Sequence, residues 1–148
     1  MQTSKFFTEE QKQEIQQAIV DAEKNTSGEI RVHVEKNCPI DVLDRAAYIF
    51  KQLGMQKTEL RNGVLFYISI EDHKFAILGD AGINAVTADD FWDEIKDEVI
   101  ANFKEGKYSE GLCRGIIRAG EELKEHFPYQ KDDVNELSNE ISFGKESK

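Results

Sequence analysis

The sequence lacks the features that mark disulfide-rich, metal-clustered or membrane-spanning proteins. It has two cysteines in 148 residues, and because Cys38 and Cys113 are far apart and outside any CxxC pair, they predict neither a zinc site nor a disulfide framework. Two buried thiols in a reducing cytosol are the favoured interpretation, and a secreted disulfide pair is the alternative. No apolar run approaches the ~20 residues that a membrane-spanning helix needs. Since residues 1–17 also contain no apolar signal-peptide core, we expect a soluble, cytoplasmic protein without membrane insertion.

Positive charge is also scarce. The chain carries 19 Lys and Arg residues against 29 Asp and Glu residues, a formal net charge of −10. This balance argues against nucleic acid and against anionic membranes as partners, because both require clustered cations. It leaves open a role for cations, which acidic sites attract. We expect a monomer with one domain at residues 1–128 and an acidic, partly mobile tail at residues 129–148. Candidates in this tail to dock on the domain are Val134, Leu137, Ile141 and Phe143.

Standard catalytic motifs are missing as well. The sequence has no GxGxxG, no P-loop and no GxSxG elbow. Its three histidines fall on different predicted elements without metal-ligand spacing, and no Ser-His-Asp or Cys-His site can be assembled from them. His33 lies on the polar side of a predicted strand, where a solvated side chain is the favoured interpretation over a ligand or a base.

The apolar patterns predict the order α-β-α-β-β-α-α, with helices near residues 8–24, 41–53, 88–104 and 109–127. Thr8, Thr87 and Ser109 are the expected N-caps of three of them. The first strand, EIRVHVE, alternates and should have one wet face near a sheet edge, whereas GVLFYISI is apolar on both faces and should be central. A short turn makes KFAILG antiparallel to it, and the crossover between the first two strands should be parallel. The prediction is a three-layer α/β/α sandwich around a small mixed sheet.

The hairpin RNGVLFYISIEDHKFAILGDAG supplies the best candidate site. With a turn at Asp72 and His73, Leu65 should lie opposite Asp80 and Gly63 opposite Gly82, and Arg61 should then reach Asp80. The candidate phosphate- or ligand-binding residues are Arg61, Asn62, Gly79 and Gly82. The candidate ligands for Ca²⁺ or Mg²⁺ are Asp80, Asp89 and Asp90, and such an ion would orient and polarise a phosphate. The alternative is structural, because these groups also suit a turn cap, an exposed salt bridge and the first turn of a helix.

The same residues resemble a known family. RNGVLFYISI, the DHK turn, the GDAG loop and FKEGKYSEG occur in the order and spacing of the TPM domain, also called the TPM phosphatase domain, over roughly residues 28–127. The resemblance implies an α/β/α sandwich. The family that the chain resembles includes a thylakoid lumen protein linked to photosystem repair, for which acid phosphatase activity and divalent cation binding have been suggested. The chain resembles short soluble bacterial members that have neither a signal peptide nor a membrane anchor.

The chain departs from the family pattern at its loop. GDAGINAVTAD replaces the common GYGLEGxLTD, so Asn84 and Ala88 stand where that pattern has acids, while Asp80 is an additional acid. Two functions remain open. The favoured one is a binding or adaptor domain that assists assembly or quality control of a larger complex through an unknown protein partner. The alternative is a weak divalent-metal-dependent acid phosphatase.

Overall fold

The computed structural model describes residues 5–88, 90–129 and 139–144. Along these residues the helices and strands follow the predicted order, with three short additions. The elements are α1 (Glu9–Glu23), β1 (Glu29–Glu35), α2 (Val42–Gln52), a 3₁₀ helix (Met55–Lys57), β2 (Gly63–Ser69), β3 (Lys74–Gly79), α3 (Ala81–Asn84), α4 (Phe91–Lys104), α5 (Tyr108–His126) and β4 (Ser142–Phe143). The 3₁₀ helix, α3 and β4 are too short to produce a periodic sequence pattern, which is why the sequence did not predict them.

The strands form one mixed sheet in the order β3-β2-β1-β4. As predicted, β1 and β2 are parallel, with Glu29 opposite Gly63, and β2 and β3 are antiparallel. β4 comes from the C-terminal segment and pairs in parallel with β1, which places Ser142 opposite His33. Ile141 is buried beside this strand, so the expected docking of Ile141 and Phe143 takes the form of strand pairing. Val134 and Leu137 of the tail lie outside the described residues.

Helices cover both faces of the sheet and confirm the three-layer α/β/α architecture. Neighbouring residues of β2 show the two faces, because Phe66 belongs to the core beneath α1, α4 and α5 while Leu65 and Tyr67 belong to the core beneath α2. All seven residues of β2 are buried, as expected of a central strand. None of the helices in the described ranges combines the length and the apolar composition that a membrane span requires.

The helix starts follow the sequence only in part. At α1, Thr8 and Gln11 form the predicted capping box: the Gln11 N–H donates to the Thr8 hydroxyl at 3.1 Å, and the Thr8 N–H donates to the Gln11 side chain at 3.0 Å. The predicted caps Thr87 and Ser109 are wrong, since α4 follows Asp90 and α5 follows Lys107. The Thr87 hydroxyl donates instead to the carbonyl of Ile83, because the preceding residues form α3 rather than an open loop.

Small residues on α5 let it approach its neighbours closely. A Cβ added to Gly115 would lie 2.8 Å from Val99 and 3.0 Å from Phe66, closer than packed carbon atoms approach. Glycine at this position therefore allows α5 to pack closely against α4 and β2. Both cysteines are free thiols, Cys38 buried and Cys113 half-buried, and burial raises the pKa of Cys113 to about 11.

The predicted wet face of β1 is wrong. His33 is 5% exposed and Glu35 is 7% exposed, so the polar side of this strand is buried at these two residues and half-buried at Arg31. The reason is tertiary: α2 covers the sheet on this side, and β4 lies along the edge that the sequence left open. The burial of two ionisable groups on one strand end defines a site that the sequence did not indicate.

Candidate functional site

The first candidate site is the corner where Arg61 meets Asp80. The guanidinium donates two hydrogen bonds to the carboxylate, from Nε to Oδ2 at 2.7 Å and from the terminal nitrogen to Oδ1 at 2.8 Å. The predicted contact therefore forms. The predicted register is wrong by two residues, because the turn comprises the four residues 70–73 and Leu65 pairs with Leu78 rather than with Asp80. The ladder still continues to this end, since the Asp80 N–H donates to the Gly63 carbonyl at 2.9 Å.

The backbone around the corner is tightly constrained. Arg61 has a positive φ of 52°, an unusual conformation for a residue with a side chain. The Gly82 N–H donates to the Arg61 carbonyl at 2.8 Å, and a Cβ at Gly82 would lie 2.1 Å from the Leu60 carbonyl oxygen. Glycine is therefore required at this position by close backbone approach, which gives Gly82 a structural role.

Besides the backbone contact with Gly63, Asp80 has two hydrogen-bond donors to its carboxylate, Arg61 and the Ala81 N–H. It is the N-cap of α3, and its Oδ1 accepts the Ala81 N–H at 2.7 Å. Hydrogen bonding to Asp80 raises the pKa of Arg61 above its ordinary value. Both carboxylate oxygens of this buried residue are thus engaged by protein donors, so a cation that bound here would compete with Arg61.

The other residues predicted for this site differ in their contacts and in their exposure. The Gly79 carbonyl accepts the Asn84 amide at 2.7 Å, and Asn84 accepts the Trp92 indole N–H at 2.8 Å, which ties α3 to α4. Asn62 is buried, with its amide 3.5 Å from the Ser27 hydroxyl. Asp90 is exposed at the start of α4. Asp89 lies outside the described residues.

A cavity of about 320 Å³ opens beside the corner. Arg61 and Lys51 line it together with Gln56, Gly79 and Asp80. Among its described residues, this corner has no three side chains whose ligand atoms lie close enough to share a metal ion. The described residues that do form such a group are Glu122, Glu125 and His126 on α5. The described donors of the corner therefore suit an anion better than a cation, because two cationic side chains line the cavity.

The second candidate site is a cleft of about 620 Å³ at the C-terminal end of β1. We call it the β1 cleft. Its floor contains His33 and Glu35, and its α2 wall contains Arg45, Tyr48, Ile49 and Gln52. The remaining wall is formed by Lys36, Asn37, Pro39, Ile40 and Gly144. Ligand sites of open α/β sheets are typically found outside the carboxyl ends of parallel strands, and the β1 cleft has this position.

Glu35 is the centre of the buried network under the cleft. It accepts hydrogen bonds from Arg45 at 2.8 Å and 2.7 Å and from the Tyr67 hydroxyl at 2.6 Å. Burial would raise the pKa of Glu35, but these hydrogen bonds outweigh it and hold the pKa far below its ordinary range. Burial, together with the Glu35 carboxylate, raises the pKa of Tyr67 well above its ordinary value. Glu35 is therefore a fixed negative charge.

His33 joins this network to the C-terminal segment. Its Nδ1 lies 2.9 Å from the Ser142 hydroxyl, its Nε2 lies 3.4 Å from Glu35 Oε2, and its ring is stacked with Tyr67. The interpretation of His33 as a solvated side chain is wrong. The partner Ser142 is 109 residues away in sequence, so no local pattern indicates the contact.

Two exposed apolar side chains border the β1 cleft. Ile40 is 50% exposed and Tyr48 is 52% exposed, and the Arg45 guanidinium lies 5.0 Å from the centre of the Tyr48 ring. The cleft thus offers an apolar wall beside a cationic group that is already paired. This combination favours binding of a side chain or small molecule, because Glu35 and Arg45 neutralise each other.

Comparisons with solved structures agree with this architecture. The BA42 protein of the psychrophilic bacterium Bizionia argentinensis is 52% identical, with 94% of this chain and 96% of that chain covered and a TM-score of 0.88. The N-terminal domain of a P. gingivalis protein is 19% identical, with 84% and 82% covered and a TM-score of 0.69. The N-terminal domain of the Corynebacterium glutamicum protein cg2496 is 13% identical, with 81% and 76% covered and a TM-score of 0.65. The last two likenesses concern the fold alone.

No curated protein matches the chain. The family model described as the TPM domain matches residues 1–122, which is most of the chain and includes both candidate sites except for the residues of the C-terminal segment. The 52% identical BA42 protein has the same fold over nearly its whole length. The chain therefore belongs to the TPM domain family.

Proposed function

We propose that this TPM domain is a binding domain that attaches to a larger protein assembly through the β1 cleft. The observation that carries the proposal is the wall formed by Ile40, Tyr48 and Ile49 beside a cleft of about 620 Å³. Exposed aromatic and aliphatic side chains next to a concave surface are typical of protein-binding sites. The partner would insert an apolar side chain against this wall.

The electrostatics of the cleft support binding rather than catalysis. Arg45 and Tyr67 both donate to Glu35, so the carboxylate holds its charge and does not exchange a proton near neutral pH. A general acid or base needs a pKa close to the working pH, and Glu35 is tuned away from that range. What the network provides instead is a rigid floor, because Arg45 and Tyr67 both hold Glu35 through hydrogen bonds.

The test is capture of a partner by the full chain, with variants that alter the cleft surface. Ile40→Asp and Tyr48→Asp each place a charge on the apolar wall; Tyr48 also contacts Arg45, so Ile40→Asp is the variant that leaves the contacts of the Glu35 network in place. Ile117→Asp is the matched control, because Ile117 is 47% exposed on α5 and does not line the cleft. We expect cross-linking in a lysate of the source organism to yield a reproducible partner with the wild-type and control proteins and none with the cleft variants. Failure to capture a reproducible partner, or equal capture by the cleft variants, would contradict the proposal.

A second candidate, a weak divalent-metal-dependent acid phosphatase, is favoured by the cavity beside Arg61. Arg61 and Lys51 would hold the phosphate, and Asp80, Asp89 and Asp90 are the proposed acidic residues for Ca²⁺ or Mg²⁺. The cavity of about 320 Å³ is large enough for a phosphate ester. In this proposal the ion would polarise the phosphate when bound, and Arg61 would orient it through charge-assisted hydrogen bonds.

Two measurements test this candidate. Titration with Ca²⁺ and Mg²⁺ should shift backbone amide resonances of residues 79–82 and 89–90 saturably, and hydrolysis of phosphate esters should depend on the ion. Asp80→Asn preserves the shape of the side chain and its capping oxygen, so loss of turnover in a folded Asp80→Asn protein would assign the acid. Hydrolysis no faster than the buffer control would remove the activity, and unchanged turnover in Asp80→Asn would remove the site.

A further inference from the structure

A separate apolar cavity of about 160 Å³ lies where the β2–β3 turn meets the end of α4. We call it the hairpin cavity. None of its lining residues also lines the β1 cleft, and its walls are mainly apolar. Those walls are Phe6, Ile68, Ile70, Ile100, Phe103 and Tyr108. Most of the lining surface is therefore hydrocarbon, which is typical of sites that enclose the apolar body of a small molecule.

Aromatic rings form one side of the hairpin cavity. The rings of Phe6 and Tyr108 meet edge to face with centres 5.1 Å apart, and those of Phe103 and Tyr108 have centres 4.9 Å apart. Rings arranged in this way present both edges and faces to a guest. A further aromatic ring is therefore a better guest for this wall than a flexible chain of similar volume.

The other side of the cavity is held in place by the sheet. The turn that carries Ile70 is fixed by hydrogen bonds from the Ile70 N–H to the Glu35 carbonyl at 2.9 Å and from the Glu71 N–H to the Lys36 carbonyl at 2.8 Å. Asp72 in the same turn accepts the Cys38 N–H. The cavity is thus formed before any ligand arrives, which reduces the entropy cost of binding.

The charged side chains that line the cavity are lysines, beside the polar side chains of Ser69 and His73. Lys104 and His73 line it and are both exposed. Lys74 also lines it, but its ammonium donates to the Cys38 carbonyl at 3.2 Å. Among the described residues, Lys104 has no carboxylate within salt-bridge distance, whereas Lys12, Lys24, Lys36 and Lys107 do. A chain with a net charge of −10 thus leaves a cation unneutralised beside an apolar cavity.

Lys104 also lies in the last turn of α4, where a cation stabilises the helix. That role needs no adjoining cavity and no aromatic wall. Lys104, the apolar cavity and the aromatic wall occur together here, and this combination indicates a ligand with an apolar ring and one negative charge.

We propose that the hairpin cavity binds a small aromatic monocarboxylate, with the ring among Phe6, Phe103 and Tyr108 and the carboxylate at Lys104. The volume supports one ring: an apolar cavity of about 150 Å³ in another protein binds benzene. The carboxylate stays at the exposed mouth, where it keeps part of its hydration and gains a charge-assisted hydrogen bond from Lys104.

The test uses phenylacetate as the probe and 2-phenylethanol as its neutral match, each titrated into the full chain and followed by backbone amide NMR. We expect saturable shifts for residues 68–74 and 100–108 with phenylacetate and at least fivefold weaker binding of the alcohol. Lys104→Met should weaken phenylacetate binding by a similar factor without affecting the alcohol. Lys96→Met on the same helix is the matched control and should bind phenylacetate as the wild-type protein does.

Ile100→Phe fills the cavity and should abolish binding of both compounds. Circular dichroism establishes that this variant is folded, and Lys104→Met, at an exposed site, provides the independent test if it is not. Absence of saturable shifts, shifts centred outside the cavity, or equal binding of phenylacetate and 2-phenylethanol would overturn the proposal. Because neither Lys104 nor Ile100 lines the β1 cleft, these outcomes are independent of the proposed protein-binding function.

Discussion

Glu35 at the end of β1 and Arg45 on α2 form a two-point ion pair, with hydrogen bonds of 2.8 Å and 2.7 Å between the guanidinium and the two carboxylate oxygens. The pair links the sheet to α2 under the β1 cleft. The side chain of Glu35 is 9% exposed, whereas that of Arg45 is 31% exposed. Loss of the ion pair would therefore cost the buried Glu35 carboxylate more than the partly hydrated Arg45 guanidinium.

Removing Arg45 should destabilise the protein, because it leaves the charge of Glu35 buried. We expect Arg45→Met to lower the free energy of unfolding at neutral pH by about 1–3 kcal/mol, below the full cost of breaking a buried pair because Arg45 is partly exposed. Urea denaturation measures the change. The double variant with Glu35→Gln is the control and should recover part of the loss; no recovery would mean that packing of the arginine, rather than the charge of Glu35, causes the effect.

The same pair predicts a loss of stability in acid. The folded-state pKa of Glu35 is lowered, so its contribution to stability is present above the unfolded-state pKa and is lost as the pH falls below it. The wild-type protein should therefore lose more stability than Arg45→Met between pH 5 and pH 3, values that bracket the ordinary pKa of about 4.3. Equal losses in urea denaturation series at these pH values would contradict the pairing.

Glu23 predicts the opposite dependence on pH. Burial, opposed by the hydrogen bond from the Ile30 N–H, raises the pKa of Glu23 to about 8. Above the unfolded-state pKa and below 8, the folded protein holds a proton that the unfolded chain lacks, so stability falls as the pH rises. Glu23→Gln should remove up to about 1.4 kcal/mol per pH unit of this slope.

Urea denaturation between pH 5 and pH 8, in steps of about one pH unit, measures that slope. Glu14→Gln on the exposed side of α1 is the matched control and should retain the slope of the wild-type protein. A slope in Glu23→Gln equal to that of wild type would show that Glu23 does not hold the proton.

Gly82 should resist substitution because of the backbone opposite it. A Cβ there would lie 2.1 Å from the Leu60 carbonyl oxygen, and backbone yields less than a side chain does, so Gly82→Ala should cost about 3 kcal/mol of stability. Gly106→Ala is the control, since Gly106 has a positive φ of 78° but nothing within 4 Å of the added Cβ. That variant should cost about 1 kcal/mol for backbone strain alone, and equal losses in thermal unfolding would argue against a steric requirement at Gly82.

Ile141 should contribute to stability although it lies in the predicted tail. It is 7% exposed beside β4, so Ile141→Ala should cost about 2 kcal/mol through lost burial and the space left behind. Ile117→Ala removes the same atoms from a side chain that is 47% exposed, and about 0.5 kcal/mol or less is expected there. A loss at Ile141 no greater than at Ile117 would mean that β4 does not hold the C-terminal segment on the sheet.

The Arg61–Asp80 corner shows how far the sequence leads towards a site. The hairpin pattern was sufficient to place Arg61 beside Asp80, although the register was wrong by two residues because the turn is longer than predicted. The sequence also allowed Asp80 to be a cap, and it caps α3. It did not indicate Lys51 and Gln56, which reach the same cavity from α2 and the 3₁₀ helix.

What the sequence determined by itself is local or periodic. The capping box of Thr8 and Gln11 spans three residues, and the apolar faces of α1, α2 and β2 repeat within their own segments, so each is encoded where it forms. From these the element order and the α/β/α layers follow. Only the tertiary structure decided that His33 is buried against Ser142, that Glu35 is paired with Arg45 and Tyr67, and that residues 142–143 complete the sheet. These contacts join separate elements of the chain. The burial of apolar surface between the elements brings the polar groups together, and no pattern within a single segment records that packing.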